Sequence, residues 1–108
     1  MPHLRFRSIK EEDVSKLSKE LPKKLAEAMN TTVDNFTFEL ISTTYFQDGS
    51  PTKSYPFVEI LWFDRGQETQ DKSALVITGE LKKISQEDIV LVFTSLEKNK
   101  YYENGTHF

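Results

Sequence analysis

The residues best placed to do chemistry stand at the start of the chain, Met1-Pro2-His3-Leu4-Arg5-Phe6-Arg7-Ser8-Ile9. A small second residue such as proline permits removal of the initiator methionine, and the mature protein would then begin with a secondary amine. Held at the end of a strand, in surroundings that lower its pKa, that amine is a general base or a nucleophile. Arg5 and Arg7 form a pair suited to bidentate contact with an oxalate-like dianion, although strand alternation favours an interface role for them. Arg65 precedes Gly66 and a helical pattern, and the free N–H groups and dipole at such a helix start favour a substrate carboxylate. The alternative is that Asp64 and Arg65 pair with each other or cap the helix, with Gly66 supplying only a permissive backbone angle. His3 and His107, the only histidines, lie at opposite ends without metal-ligand spacing, so no metal site is expected. With no cysteine, disulfides, thiolate catalysis and iron–sulfur sites are excluded, and no cofactor is called for.

What must position these groups is one domain, residues 1–108, large enough to bury a core and too small for two. Hydrophobic residues make up 37% and aromatic ones 12%, which is too apolar for a disordered chain. The net charge of -3, with no basic patch interleaved with aromatics, argues against nucleic acid as a partner. Neither a long apolar run nor a charged-then-apolar leader is present, so no membrane partner is expected and the cytoplasm is the expected compartment. The three sequons, at Asn30, Asn35 and Asn104, then read as turn and cap residues.

Periodicity predicts a strand over Pro2 to Ile9 and a helix from Lys10 to about Met29, with Val14, Leu17, Leu21, Leu25 and Met29 on one face. Pro22 lies inside that helix and predicts a bend or a local opening. A second strand follows over Phe36 to Thr44, then a polar connector from Tyr45 to Ser54 containing Asp48-Gly49. The order repeats: a strand over Tyr55 to Asp64, a helix over Gln67 to Lys83 and an apolar strand over Asp88 to Ser95. Sliding the chain over itself by about 54 residues sets Pro2 on Pro56, Leu4 on Val58 and Phe6 on Ile60. The pseudo-repeats, about 2–44 and 55–95, predict an α+β fold: two βαβ units forming a four-stranded mixed sheet with two helices on one face. In the tail, 96–108, Asn104-Gly105 predicts a tight hairpin or a neighbour-crossing arm.

With Leu4, Phe6, Phe38, Leu40, Val58, Ile60 and Trp62 under the helices, alternation sends His3, Arg5, Arg7, Glu39, Ile41, Phe57, Glu59, Leu61 and Phe63 to the other face. That face is too apolar to meet water, which predicts oligomerisation. Arg5, Arg7, Glu39 and Glu59 would form an ionic lattice across the interface, specifying alignment more than adding stability. The alternative is a set of ordinary cross-strand surface pairs.

A proline-starting strand, βαβ twice, a charged loop after the third strand and an aromatic tail resemble the tautomerase superfamily that includes 4-oxalocrotonate tautomerase and macrophage migration inhibitory factor. More narrowly, Pro2-His3-Leu4-Arg5-Phe6-Arg7, Tyr55-Pro56-Phe57-Val58-Glu59, Leu61-Trp62-Phe63-Asp64-Arg65-Gly66-Gln67-Glu68 and Tyr101-Tyr102-Glu103-Asn104-Gly105-Thr106-His107-Phe108 look like a family of short bacterial proteins grouped with that superfamily. The resemblance implies a homotrimer whose sheets surround a central barrel, with each amino-terminal proline in a pocket between neighbours. It further implies that Pro2 moves a proton between oxygen and carbon of a small keto acid. Arg65, Tyr101, Tyr102 and Phe108 are the candidates for binding it, a plain structural tail being the alternative for the last three. The lysine that the cytokine branch carries falls near Thr32, and its tyrosine and asparagine fall near Val90 and Val92, so a polarising group is missing. Two non-catalytic alternatives are a trimer with a vestigial pocket and a ferredoxin-like βαββαβ module that binds a ligand or partner.

Overall fold

Alternation in the first strand resolves into β1, His3–Arg7, whose Leu4 and Phe6 are wholly buried while His3, Arg5 and Arg7 stay half-buried. The computed structural model describes residues 2–108, so Met1 and its removal lie outside the described residues. Ser8, in the left-handed region at φ 63°, turns the chain into α1, Glu11–Met29. Three acidic residues in its first turn, Glu11, Glu12 and Asp13, oppose the positive end of the helix dipole. Its buried stripe is Val14, Leu17, Leu21, Leu25 and Met29, the spacing of one helical face. The helix runs unbroken through Pro22, whose missing N–H leaves the Ser18 carbonyl without its usual donor. It ends where Asn30 adopts φ 54° and the Thr31 N–H donates to Ala26 O at 2.9 Å.

The chain then passes to β2, Thr37–Ile41, and to a connector that is itself ordered. Its strands β3, Tyr45–Gln47, and β4, Ser50–Thr52, close around Asp48 and Gly49, both at positive φ (50° and 81°). That is the twist a two-residue hairpin needs, and Asp-Gly supplies it. Next come β5, Phe57–Trp62, α2, Gln67–Lys82, and β6, Val90–Ser95. Strand ends fall short of the sequence expectation by one to three residues except at Ser95, where β6 ends as expected, and by most at β2, where the chain leaves the sheet after Ile41. The Asn104-Gly105 signal yields a hairpin of β7, Tyr102–Glu103, and β8, Thr106–His107.

The main sheet has the order β2-β1-β5-β6. β1 pairs parallel with β2 and β5 with β6, while the two central strands run antiparallel. Each βαβ unit therefore joins neighbouring strands, whereas the split arrangement of a ferredoxin-like module inserts another strand between them. The ferredoxin-like alternative is thereby excluded. Both helices cover one face, where Phe6, Val58, Ile60 and Trp62 meet Leu21, Leu25, Ile77 and Leu81 in a single core. Leu40, expected under the helices, keeps 38% of its surface exposed because it sits on the edge strand β2. Ser73, the buried polar member of α2, donates to Thr69 O at 2.8 Å and so is satisfied. Among the described residues no helix is long and apolar enough to cross a membrane.

Candidate functional site

The uncovered face of the sheet carries a continuous polar chain. Register places Arg5 opposite both Glu39 on β2 and Glu59 on β5, and places His3 opposite Thr37. The His3 imidazole touches Thr37 Oγ1 through Nδ1 at 2.6 Å and Glu39 Oε1 through Nε2 at 2.8 Å. Arg5 pairs with Glu39 through Nε at 3.2 Å and with Glu59 through Nη1 at 3.3 Å. Arg7 approaches the same Glu59 oxygen at 3.9 Å and lies 5.6 Å from the centre of the Phe57 ring. Within this chain Arg5 thus forms cross-strand pairs in direct register with Glu39 and Glu59, and Arg7, which lies opposite Ile41 and Phe57, reaches Glu59 diagonally. Around them Phe57, Leu61, Ile41 and Val90 are half-buried, and Val92 is 40% exposed.

Glu39 is held below the usual carboxylate value of 4.5, first by its hydrogen bond from His3 and then by the charge of Arg5. A carboxylate whose folded pKa is depressed stabilises the fold above its unfolded pKa and loses that contribution as pH falls through the folded value. Urea unfolding of the wild type and Glu39→Gln is therefore expected to show a stability gap near neutral pH that closes below 4.5. A gap that stays constant into acid would refute the assignment.

At one end of this face lies a depression of about 310 Å³ lined by His3, Thr37, Leu61, Leu96 and Tyr101. Pro2 is not among the lining residues; it is fully buried, one residue before His3, and its carbonyl accepts the Thr37 N–H at 3.2 Å. Leu96 reaches the wall because its N–H donates to Trp62 O at 2.7 Å just beyond β6. Tyr101 is locked into an aromatic triad, 5.2 Å from Phe63 and 4.7 Å from Phe108, with Phe63 and Phe108 stacked at 5.6 Å. The Phe108 N–H donates to Tyr101 O at 3.0 Å and fixes the tail beside it.

Of the residues predicted for the site, the depression takes in Tyr101 and, through the triad, Phe108, while Pro2 is joined to it only through His3 and the Thr37 N–H. Tyr102 belongs to the hairpin, 62% exposed and edge-on to His107. Arg65 stands at the end of α1, where its Nη1 donates to Met29 O at 3.0 Å and satisfies a carbonyl that the helix leaves open. Neither it nor Tyr102 is among the lining residues. Asp64 does not pair with Arg65; it accepts the Gly66 N–H at 2.8 Å and so closes the turn into α2. Thr37 and Leu96 were not singled out from the sequence, and Leu61 was placed on the uncovered face but not in a pocket. Thr37 was the findable one, because parallel pairing of β1 with β2 sets it beside His3.

Comparison with known families places this architecture. The family described as "Domain of unknown function (DUF1904)" matches residues 1–107. The chain belongs to the DUF1904 family. A crystal structure of a DUF1904 domain from Sebaldella termitidis ATCC 33386 is 41% identical, with a TM-score of 0.94 and 100% of each chain covered. The macrophage migration inhibitory factor-like protein of Entamoeba histolytica is 19% identical, with a TM-score of 0.76, covering 99% of this chain and 98% of that one. A structure described as a fused 4-OT wild type asymmetric trimer is 10% identical, with a TM-score of 0.81, covering 97% and 94%. No curated protein matches. This DUF1904 chain therefore shares the fold of the macrophage migration inhibitory factor-like protein and of fused 4-OT, in keeping with its strand order and with two helices on one face.

Proposed function

We propose that this chain is a cytoplasmic, homotrimeric, tautomerase-like enzyme that acts on a small enolisable keto acid through Pro2. The observation that carries the reading is the position of Pro2. It is buried at the head of a central strand, directly before His3 and bonded through its carbonyl to the Thr37 N–H, two of the residues that line an open depression. With Met1 removed, the nitrogen becomes a secondary amine, and burial disfavours its charged form and keeps it available as a base. The amine takes the hydroxyl proton of the enol and returns a proton to the carbon. The O–H bond breaks, the C=C pair forms the new C–H bond, and the oxygen electrons close the carbonyl. No oxidant or cofactor is required.

The half-buried apolar residues of the uncovered sheet face support self-association, and a second copy of the same face is the occupant proposed. Arg5, Arg7, Glu39 and Glu59 would set its alignment. Tyr101 and Phe108 form the pocket wall in this reading, while Arg65 and Tyr102 have no part in the depression of one subunit. A second reading, a pocket that binds without turnover, is favoured by the lack of any lysine or arginine among the described residues lining the depression.

Enol–keto conversion of phenylenolpyruvate separates the two. Protein whose Met1 removal is verified by intact mass is expected to accelerate it, and protein that retains Met1 is expected not to, because an amide nitrogen is no base. Equal rates in both forms, or none above buffer in either, would overturn catalysis by Pro2.

A further inference from the structure

The site lacks a lysine or arginine to polarise a substrate oxygen, yet one of its lining groups is a hydroxyl under the control of an imidazole. Thr37 Oγ1 lies 2.6 Å from His3 Nδ1, and His3 Nε2 lies 2.8 Å from Glu39 Oε1. A carboxylate only accepts hydrogen bonds, so Nε2 carries a proton and donates to Glu39. Nδ1 is then the atom that changes. In neutral His3, Nδ1 bears a lone pair and accepts the Thr37 O–H. In the imidazolium, Nδ1–H donates to Thr37 Oγ1, and the hydroxyl proton is released to another acceptor. Both His3 and Thr37 line the depression.

We propose that Thr37 is the donor that polarises the carbonyl oxygen of a 2-keto acid bound in this depression, and that His3, held by Glu39, is the positioning residue that releases its hydroxyl on protonation. This rests on the reading of the site as a keto-acid pocket. The groups facing His3 are few. Glu39 comes from β2 and is shared with Arg5; β5 contributes Leu61 opposite His3, and Glu59 beyond it is held by Arg5 and Arg7. Tyr101, after β6, completes the wall. The backbone N–H of Thr37 is anchored on the Pro2 carbonyl, which fixes the donor relative to the base. The two groups have opposite needs, a neutral amine and a charged imidazole, so turnover through both requires the two protonation states at once.

Benzoylformate, a 2-keto acid with no α-hydrogen, reports on binding without turnover. Its affinity for the Met1-free protein, followed by NMR across a pH series in which the His3 ring signals themselves report when its proton is lost, is expected to weaken about tenfold on that loss, the upper end of one hydrogen bond to a neutral acceptor. At the acidic end Thr37→Val is expected to lose that factor and Thr37→Ser to keep it, while His3→Gln removes the pH dependence. Unchanged affinity in Thr37→Val, a pH dependence that survives in His3→Gln, or no binding by the wild type would overturn the proposal. The expected binding pattern without any enol–keto conversion would retire catalysis by Pro2 and leave the Thr37–His3 device standing.

Discussion

Replacement of Trp62 by alanine is expected to lower the unfolding free energy by about 3–5 kcal/mol, the range for emptying a buried aromatic site. Trp62 closes β5, is fully buried and packs 5.1 Å from the Phe93 ring on β6. Trp62 belongs to a single core built from the sheet, with Leu4 and Ile60, and from the helices, with Met29 and Leu81, and close-packed layers of this kind do not collapse fully into a vacated site. The indole adds a second expectation. Its Nε1 is buried without a hydrogen-bond partner among the described residues, so the native residue already carries an unmet donor that costs about 1–3 kcal/mol. Trp62→Phe removes that donor while keeping most of the ring, and is expected to fall within about 1.5 kcal/mol of the wild type. Chemical denaturation of the two variants decides the matter. A loss below about 1.5 kcal/mol in Trp62→Ala would mean that this corner repacks. A loss in Trp62→Phe as large as in Trp62→Ala would mean that the indole N–H is satisfied, for example by water. The backbone link from Leu96 to Trp62 survives both changes, so the wall of the depression should persist in any variant that folds.

The helices, the two faces of the sheet and the pseudo-repeat were legible because each is a periodicity, and periodicity is written in sequence. Val14, Leu17, Leu21, Leu25 and Met29 marked the buried stripe of α1, and alternation in β1 and β5 separated Leu4, Phe6, Val58 and Ile60 from Arg5, Arg7 and Glu59. The tail hairpin followed from Asn104-Gly105, whereas the segment around Asp48-Gly49, read as a polar connector, is a hairpin too; both dipeptides adopt the positive φ such turns need. The pocket was less legible. Thr37, Leu61 and Leu96 come from three separate segments, and only the register of β2 on β1 and of β5 on β1 makes them neighbours. Arg65 shows the same limit from the other side. Its place before a helix suggested an anion site at α2, whereas its reach takes it to the open carbonyl at the end of α1. That carbonyl is unmatched by any basic residue in the last turn of α1 itself, a deficit visible in the sequence only once the helix end is known.

Pro2→Ala is expected to reduce enol–keto conversion at least about 10²-fold, toward the lower end of the roughly 10²–10⁴ that a general base contributes. The lower end is appropriate because alanine, once Met1 is removed, still presents an amine. What it loses is the ring that fixes the nitrogen at one backbone angle, so the base must be brought into line with the substrate at each turnover. The fold gives a clean control. Pro56 occupies the matching position at the head of β5, is also buried, and accepts the Val90 N–H on its carbonyl at 3.0 Å as Pro2 accepts that of Thr37 at 3.2 Å. In both positions the bond is made by the carbonyl, which alanine retains, so neither substitution removes a ladder hydrogen bond. Pro56→Ala should therefore perturb stability much as Pro2→Ala does, yet leave the conversion rate close to that of the wild type. An equal loss in both variants would trace the effect to the sheet and not to the amine. An undiminished rate in Pro2→Ala, with Met1 absent by intact mass, would assign any activity to another group, and the hydroxyl of Thr37 beside His3 would then be the place to look.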